Sequence, residues 1–156
     1  MFSKLHVDFF KVTSGMIKDI KLIKKMIKSN AKRIYLSTGF SSYADIKKVL
    51  SKTGKKKISL IHTSFKKKFS EINFKKILIL KKKFNIPVAY GNHSKFINSI
   101  PNSVFFEPCS IFFYVKLNNN LNYPDNHHAI KIKSLDNILE NIEKSENVKN
   151  LSKIQC

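Results

Sequence analysis

Arg33-Ile34-Tyr35-Leu36-Ser37 is a short apolar run that ends in small polar residues, and the residues after it decide the fold. Ser41 can cap a helix reaching to about Lys52, with Tyr43, Ile46, Val49 and Leu50 at helical spacing on its inner face. Lys57-Ile58-Ser59-Leu60-Ile61-His62 is then a second short apolar run. Strand, helix and strand within about 30 residues make a parallel βαβ unit.

Outward from this unit the alternation continues. Val7 to Val12 reads as a preceding strand, and Lys18 to Ser29 as a helix carrying Ile20, Leu22, Ile23, Met26 and Ile27. Glu71 to Phe84 is a third helix, with Ile72, Ile77, Leu78 and Leu80 apolar. Ile86 to Tyr90 is a fourth strand that tolerates Pro87 near its start. Phe96 to Glu107 is a helical stretch interrupted by Pro101 and closed by Pro108. Ser110 to Lys116 is a fifth strand, and Asn118 to Asn122 a polar loop. Ser134 can cap a last helix to about Glu146, carrying Leu135, Ile138, Leu139 and Ile142; the tail over 148–156 is expected to fray. The expectation is one α/β domain over residues 1–147, with five sequential parallel strands and helices on the outside. Small and polar residues gather at the strand ends: Lys11 to Gly15, Ser37 to Gly39, His62 to Ser64 and Gly91 to Ser94. In barrels and open α/β sheets that edge carries function.

Composition excludes several classes. No apolar run approaches the ~18 residues of a membrane span. The first residues have no secretory h-region. Cys109 and Cys156 are too few for a disulfide framework or a four-cysteine zinc site, which points to a reducing cytoplasm. The net charge is +20, which invites a nucleic-acid partner. The kind of base argues against one: Arg33 is the only arginine, and lysines occur along the whole chain. Arginine is the usual bidentate reader of guanine and phosphate. Abundant lysine, isoleucine, asparagine and phenylalanine also fit AT-rich coding. There is no G-x-G-x-x-G, Walker loop, G-x-S-x-G or H-E-x-x-H. Gly54 sits in a helix-stop turn, not a phosphate loop.

Five motifs at the strand ends carry a family resemblance: Phe10-Lys11-Val12-Thr13-Ser14-Gly15, Ile34-Tyr35-Leu36-Ser37-Thr38-Gly39-Phe40, Leu60-Ile61-His62-Thr63-Ser64, Val88-Ala89-Tyr90-Gly91-Asn92-His93-Ser94 and Asn122-Tyr123-Pro124-Asp125. In order and spacing they resemble the sialic acid (N-acetylneuraminate) synthase family, which includes the legionaminic and pseudaminic acid synthases. The resemblance implies a TIM barrel, of which these motifs correspond to strands four to eight. A whole barrel needs ~200 residues or more, so a partial (β/α) barrel is expected, truncated, split or decaying.

The family reaction joins phosphoenolpyruvate to an N-acylated hexosamine with a divalent metal, manganese or magnesium. By resemblance, Lys11, Ser14 and Ser37 are the phosphoenolpyruvate-binding residues, Asp125 faces the sugar, and His93 is one of two metal-binding histidines. Val115 stands at the second, and valine has no lone pair to give. Met16 and Phe113 stand where the family has glutamates, Gly91-Asn92 where it has Ser-Asp, and Phe65 where it has a polar residue. His127 and His128 are read as solvent-exposed rather than as replacement ligands. His6 and His62 are read as structural, and Cys109 as a small buried hydrophobe. The expectation is a chain inactive alone, completed by a second copy or a complementing chain that supplies the missing strands at its exposed edges. The alternatives are a non-catalytic interaction subunit on the same half-barrel and, less well supported, a basic nucleic-acid binder.

Overall fold

The computed structural model describes residues 6–65, 68–117 and 125–154. Residues 1–5, Lys66-Lys67, the Asn118–Asn122 loop, the Tyr123-Pro124 part of the last motif, and Cys156 lie outside the described residues. The central sheet has five parallel strands in sequential order: β1 (Phe9–Val12), β2 (Arg33–Ser37), β3 (Ile58–Ser64), β4 (Val88–Asn92) and β5 (Ile111–Phe112). Helices α1 (Ile20–Ile27), α2 (Tyr43–Thr53) and α3 (Lys75–Phe84) make the crossovers. The sheet curls into a half-barrel, as expected. Its curl brings Phe9 of the first strand against Phe112 of the last, with ring centres 6.1 Å apart.

Alternation along the strands explains the two faces. Ile34, Leu36, Ile58, Leu60, Val88 and Tyr90 point outward and join Ile23, Met26, Ile46, Val49, Leu50, Ile77, Leu80 and Phe84 of the helices in one buried core. Each such side chain contributes about 1.5–3 kcal/mol when fully buried. The other set faces the concave side: Lys11 opposite Tyr35, and Ser37 opposite Ile61. β3 is covered on both faces, so the polar Ser59 and His62 are buried along it with Ile58, Leu60 and Ile61.

Polar anchors fix the helices to this frame. Lys57 Nζ donates to the carbonyls of Ile27 (3.0 Å) and Ser29 (2.8 Å), tying the end of α1 to the strand beside it. The cap of α2 is Ser42, not Ser41: Ser42 Oγ accepts from the Asp45 amide while Asp45 accepts from the Ser42 amide. Gly54 ends α2 with φ 76°, a conformation glycine adopts without cost.

Three elements differ from the sequence reading. The segment expected as one strand from Ser110 to Lys116 breaks after Phe112. Val115–Lys116 forms β6 and pairs in parallel with β7 (Ile130–Lys131) in a separate two-stranded sheet. The break has a packing cause: Phe113 turns into a second apolar cluster of Ile100, Ile130 and Ile138. The Tyr114 carbonyl then accepts from the Ile130 amide. The Phe96–Glu107 stretch holds only the short α4 (Ser99–Asn102) and a 3₁₀ turn. The last helix, α5 (Leu135–Ile154), continues past Glu146, so the tail expected to fray is helical as far as Ile154.

Candidate active site

Parallel strands all deliver their C-terminal ends to one rim, and the chemistry-bearing residues follow from that. Lys11 projects from β1 toward the concave side. Its Nζ donates to Tyr114 Oη at 3.3 Å and lies 5.2 Å from the Tyr114 ring centre. No ion pair among the described residues uses Lys11. Below it, Phe9, Tyr35 and Phe112 form an edge-to-face aromatic floor.

His93 follows β4 and meets the same tyrosine from the other side, with ring centres 5.2 Å apart. Lys11 and His93 therefore share a wall, well inside the ~15 Å that one small pocket spans. The residue before His93 sets its position. Asn92 is buried, and its Oδ1 accepts from the Ser94 amide (3.2 Å), Ser99 Oγ (2.8 Å) and Tyr90 Oη (3.2 Å), while its Nδ2 donates to the Ser94 carbonyl (3.0 Å). An asparagine that closes a turn on its own backbone holds the next side chain in one direction. Burial pushes the His93 imidazole down to about 4, helped by the charges of His128 and Lys11 and opposed by Asp125. It is neutral near pH 7 and keeps a lone pair to offer.

The turn before β7 brings the remaining groups. Asp125 has φ 63°, and its carbonyl accepts from the amides of His128 and Ala129. Lys116 Nζ clamps this turn to β6 through the Asn126 carbonyl (2.9 Å) and Oδ1 (2.7 Å). His128, expected in solvent, is only 4% exposed, and its ring centre lies 4.6 Å from that of His93. The reading failed because adjacent polar residues give no sign of which one a turn folds inward. His127 remains exposed. His93, Asp125 and His128 each offer a donor atom within 4.8 Å of the others, a group of the kind that can hold a metal ion.

Val115 does not face this group; it lies 42% exposed on β6. The side chain presented to the pocket from that segment is Tyr114, 4.9 Å from His128 between ring centres. Cys109 is exposed rather than buried, because it precedes the first paired residue of β5 at the sheet's edge. His62 is buried on the helix-facing side and takes no part in the pocket.

Phe65 closes the opposite wall. It stacks on Phe40 at 4.8 Å and meets the His93 ring edge-on at 5.0 Å. Gly39 makes this possible: a Cβ there would stand 2.4 Å from the Phe65 ring and 3.1 Å from Ser14 Oγ. Ser14 thus sits beside the Phe65 wall, and Ser37 ends β2, 6% exposed. Phe65, His93, Ser94, Lys95, Asp125, His127 and His128 line a cavity of about 510 Å³. Tyr114, the turn-closing role of Asn92 and the inward placement of His128 are what sequence reasoning missed. Asn92-His93-Ser94 carried a signal, an asparagine two residues before a serine.

Comparison with known proteins agrees with the barrel and with the strand-end motifs. The model of the NeuB family matches residues 1–153. The chain belongs to the NeuB family. It is 32% identical over 142 residues to an N,N'-diacetyllegionaminic acid synthase of Campylobacter jejuni, across 86% of this chain and 42% of that protein. An N-acetylneuraminic acid synthetase of Leptospira borgpetersenii superposes with a TM-score of 0.82 at 24% identity, over 92% of this chain and 51% of that one. A truncated 3-deoxy-D-arabino-heptulosonate 7-phosphate synthase of Thermotoga maritima has the same fold, with a TM-score of 0.75 at 13% identity. This NeuB chain spans about half the length of the relatives it matches, or less. No helix among the described residues is long and apolar enough to cross a membrane.

Proposed function

We propose that this chain forms the C-terminal part of a nonulosonic acid synthase barrel, which condenses phosphoenolpyruvate with an N-acylated hexosamine and releases phosphate. The observation that carries this reading is that Lys11 and the His93–Asp125–His128 group flank the same tyrosine. The cation fits the anionic substrate, and the histidine–aspartate side fits the sugar.

Phosphoenolpyruvate brings a phosphate and a carboxylate. Lys11, with no carboxylate partner among the described residues, supplies the positive charge, and Ser14 and Ser37 donate hydrogen bonds; Tyr114 holds the ammonium in place meanwhile. The pocket fits a divalent metal such as manganese, since His128 Nε2 is buried without a hydrogen-bond partner beside His93. When bound, such an ion polarises the sugar's carbonyl. Asp125 then orients the sugar hydroxyls. In the condensation the phosphoenolpyruvate methylene carbon forms a bond to the sugar's carbonyl carbon, water adds at the phosphate-bearing carbon, and phosphate leaves. Orientation of two substrates is worth several kcal/mol of barrier.

Among the described residues β1 and β5 each pair on one side only. In this reading, strands that complete the barrel, on the same polypeptide or on another chain, finish the phosphate side. The 156-residue chain alone is therefore expected to bind phosphoenolpyruvate weakly and to turn nothing over. Calorimetric titration with phosphoenolpyruvate is the test, alongside phosphate release with manganese and N-acetylmannosamine. The reading expects weak binding that Lys11→Ala weakens at least tenfold. Binding indifferent to Lys11→Ala, or none at millimolar ligand, overturns it.

A further inference from the structure

We infer that His93, His128 and Asp125 form a three-ligand divalent-cation site, in which His128 from the turn before β7 serves as the second imidazole and His127 orients it. The inference deepens the reading above but rests on ligand geometry alone.

The first observation is the orphaned nitrogen. His128 is 4% exposed, and its Nε2 has no hydrogen-bond partner. An uncharged buried polar atom left unpaired is destabilising. Across the pocket Asp125 Oδ1 stands 3.6 Å from it, beyond hydrogen-bonding range. The second is the other ring nitrogen. Nδ1 lies 3.0 Å from His127 Nε2. If Nδ1–H donates to His127, the Nε2 lone pair faces the Asp125 carboxylate, acceptor against acceptor. In the other tautomer Nε2–H points at an oxygen too distant to accept. Neither arrangement satisfies the site, and a cation between the two groups satisfies both.

The supporting shell is already built. A metal-bound imidazole characteristically donates its remaining N–H to a neighbour, which fixes its tautomer and plane; His127 stands where that acceptor belongs. Lys116 clamps the turn at Asn126, and Asn92 clamps the loop that carries His93. The donor atoms lie within 4.8 Å of one another. Ligands around one ion at about 2.0–2.2 Å stand closer than that, so binding draws them inward by a modest side-chain rotation. The pocket is also shielded by the faces of Phe65 and Tyr114, which strengthens charge interactions inside it. Two imidazoles and one carboxylate select a first-row ion such as zinc, cobalt, iron or manganese over calcium or magnesium.

The test is titration of the chelator-stripped chain with cobalt(II), read by its visible ligand-field bands, and with zinc(II), read by calorimetry. One ion per chain is expected, with bands of a nitrogen–oxygen ligand set. His128→Gln should weaken binding at least tenfold. His127→Gln should weaken it about tenfold and shift the cobalt bands, while the thermal midpoint of the metal-free chain stays unchanged. Val115→Ala should leave binding untouched. No saturable binding overturns the inference, as does binding that survives His128→Gln in a protein folded by circular dichroism. Metal binding without phosphoenolpyruvate binding keeps this site and refutes the proposed reaction; the converse refutes the site alone.

Discussion

His62 offers a perturbation whose size follows from its surroundings. It is 3% exposed under the start of α3; burial, first, and the nearby Lys76 charge hold its pKa down to about 4 from 6.5, against a raising contact with the Asn73 backbone. The unfolded chain therefore takes up this proton before the folded one does. Stability is intact above pH 6.5, falls as pH drops from there toward 4, and levels off below. One pKa unit is worth about 1.4 kcal/mol, so the whole window is worth about 3 kcal/mol; at pH 5 the loss has reached about 2 kcal/mol. The assay is urea unfolding at pH 7.5 and 5.0 with chelator present, on the parent and on His62→Leu. His93 and His128 titrate alike in both proteins and cancel in the comparison. The pH-dependent loss should be about 2 kcal/mol smaller in His62→Leu, a difference of about 1 M in urea midpoint shift for a domain of this size. Equal losses in the two proteins would refute the assignment of a buried neutral imidazole at this position.

Gly91→Ala puts a Cβ 2.8 Å from both Ile61 Cγ2 and Thr63 Oγ1 on the concave face of β3. It should cost about 1–3 kcal/mol by overpacking, seen as a lower melting temperature; an unchanged melting point counts against the tight strand contact. Lys57→Met keeps much of the stem but loses the donors to the Ile27 and Ser29 carbonyls. It should cost about 1.5–3 kcal/mol, and a urea midpoint equal to the parent's would show that those carbonyls find water instead.

The fold was legible because parallel strands buried on both faces need apolar runs, and the crossover helices need a 3.6-residue period. Ile34, Leu36, Ile58, Leu60 and Val88 announce the first, and Ile46, Val49 and Leu50 the second. Arg33–Ser37 matches its expected bounds because both ends are marked by polar residues. The segment after Pro108 was not legible. Two aromatics in succession, Phe113 and Tyr114, gave no sign of which turns to the apolar cluster and which to the pocket, and an offset of one residue exchanges the faces. The position expected to matter, Val115, is therefore surface, and its neighbour is the wall of the site. Lys11 and His93 were found through strand-end motifs, whereas His128 depends on a left-handed turn at Asp125 that no local pattern marked.

The contact between Lys11 and Tyr114 joins residues 103 apart in sequence, whereas each strand pairs with the next one along the chain. Adjacent strands can zip in order, each closing a loop of about 25 residues. Bringing Lys11 to Tyr114 in one step costs roughly 1 kcal/mol more in closure entropy than such a local pairing, so this contact waits until the whole curl exists. The rim where the pocket lies is then expected to form after the strand pairs and to loosen before them. Its amides should exchange with solvent ahead of those of the β2–β3 pair, even while the barrel wall stays intact.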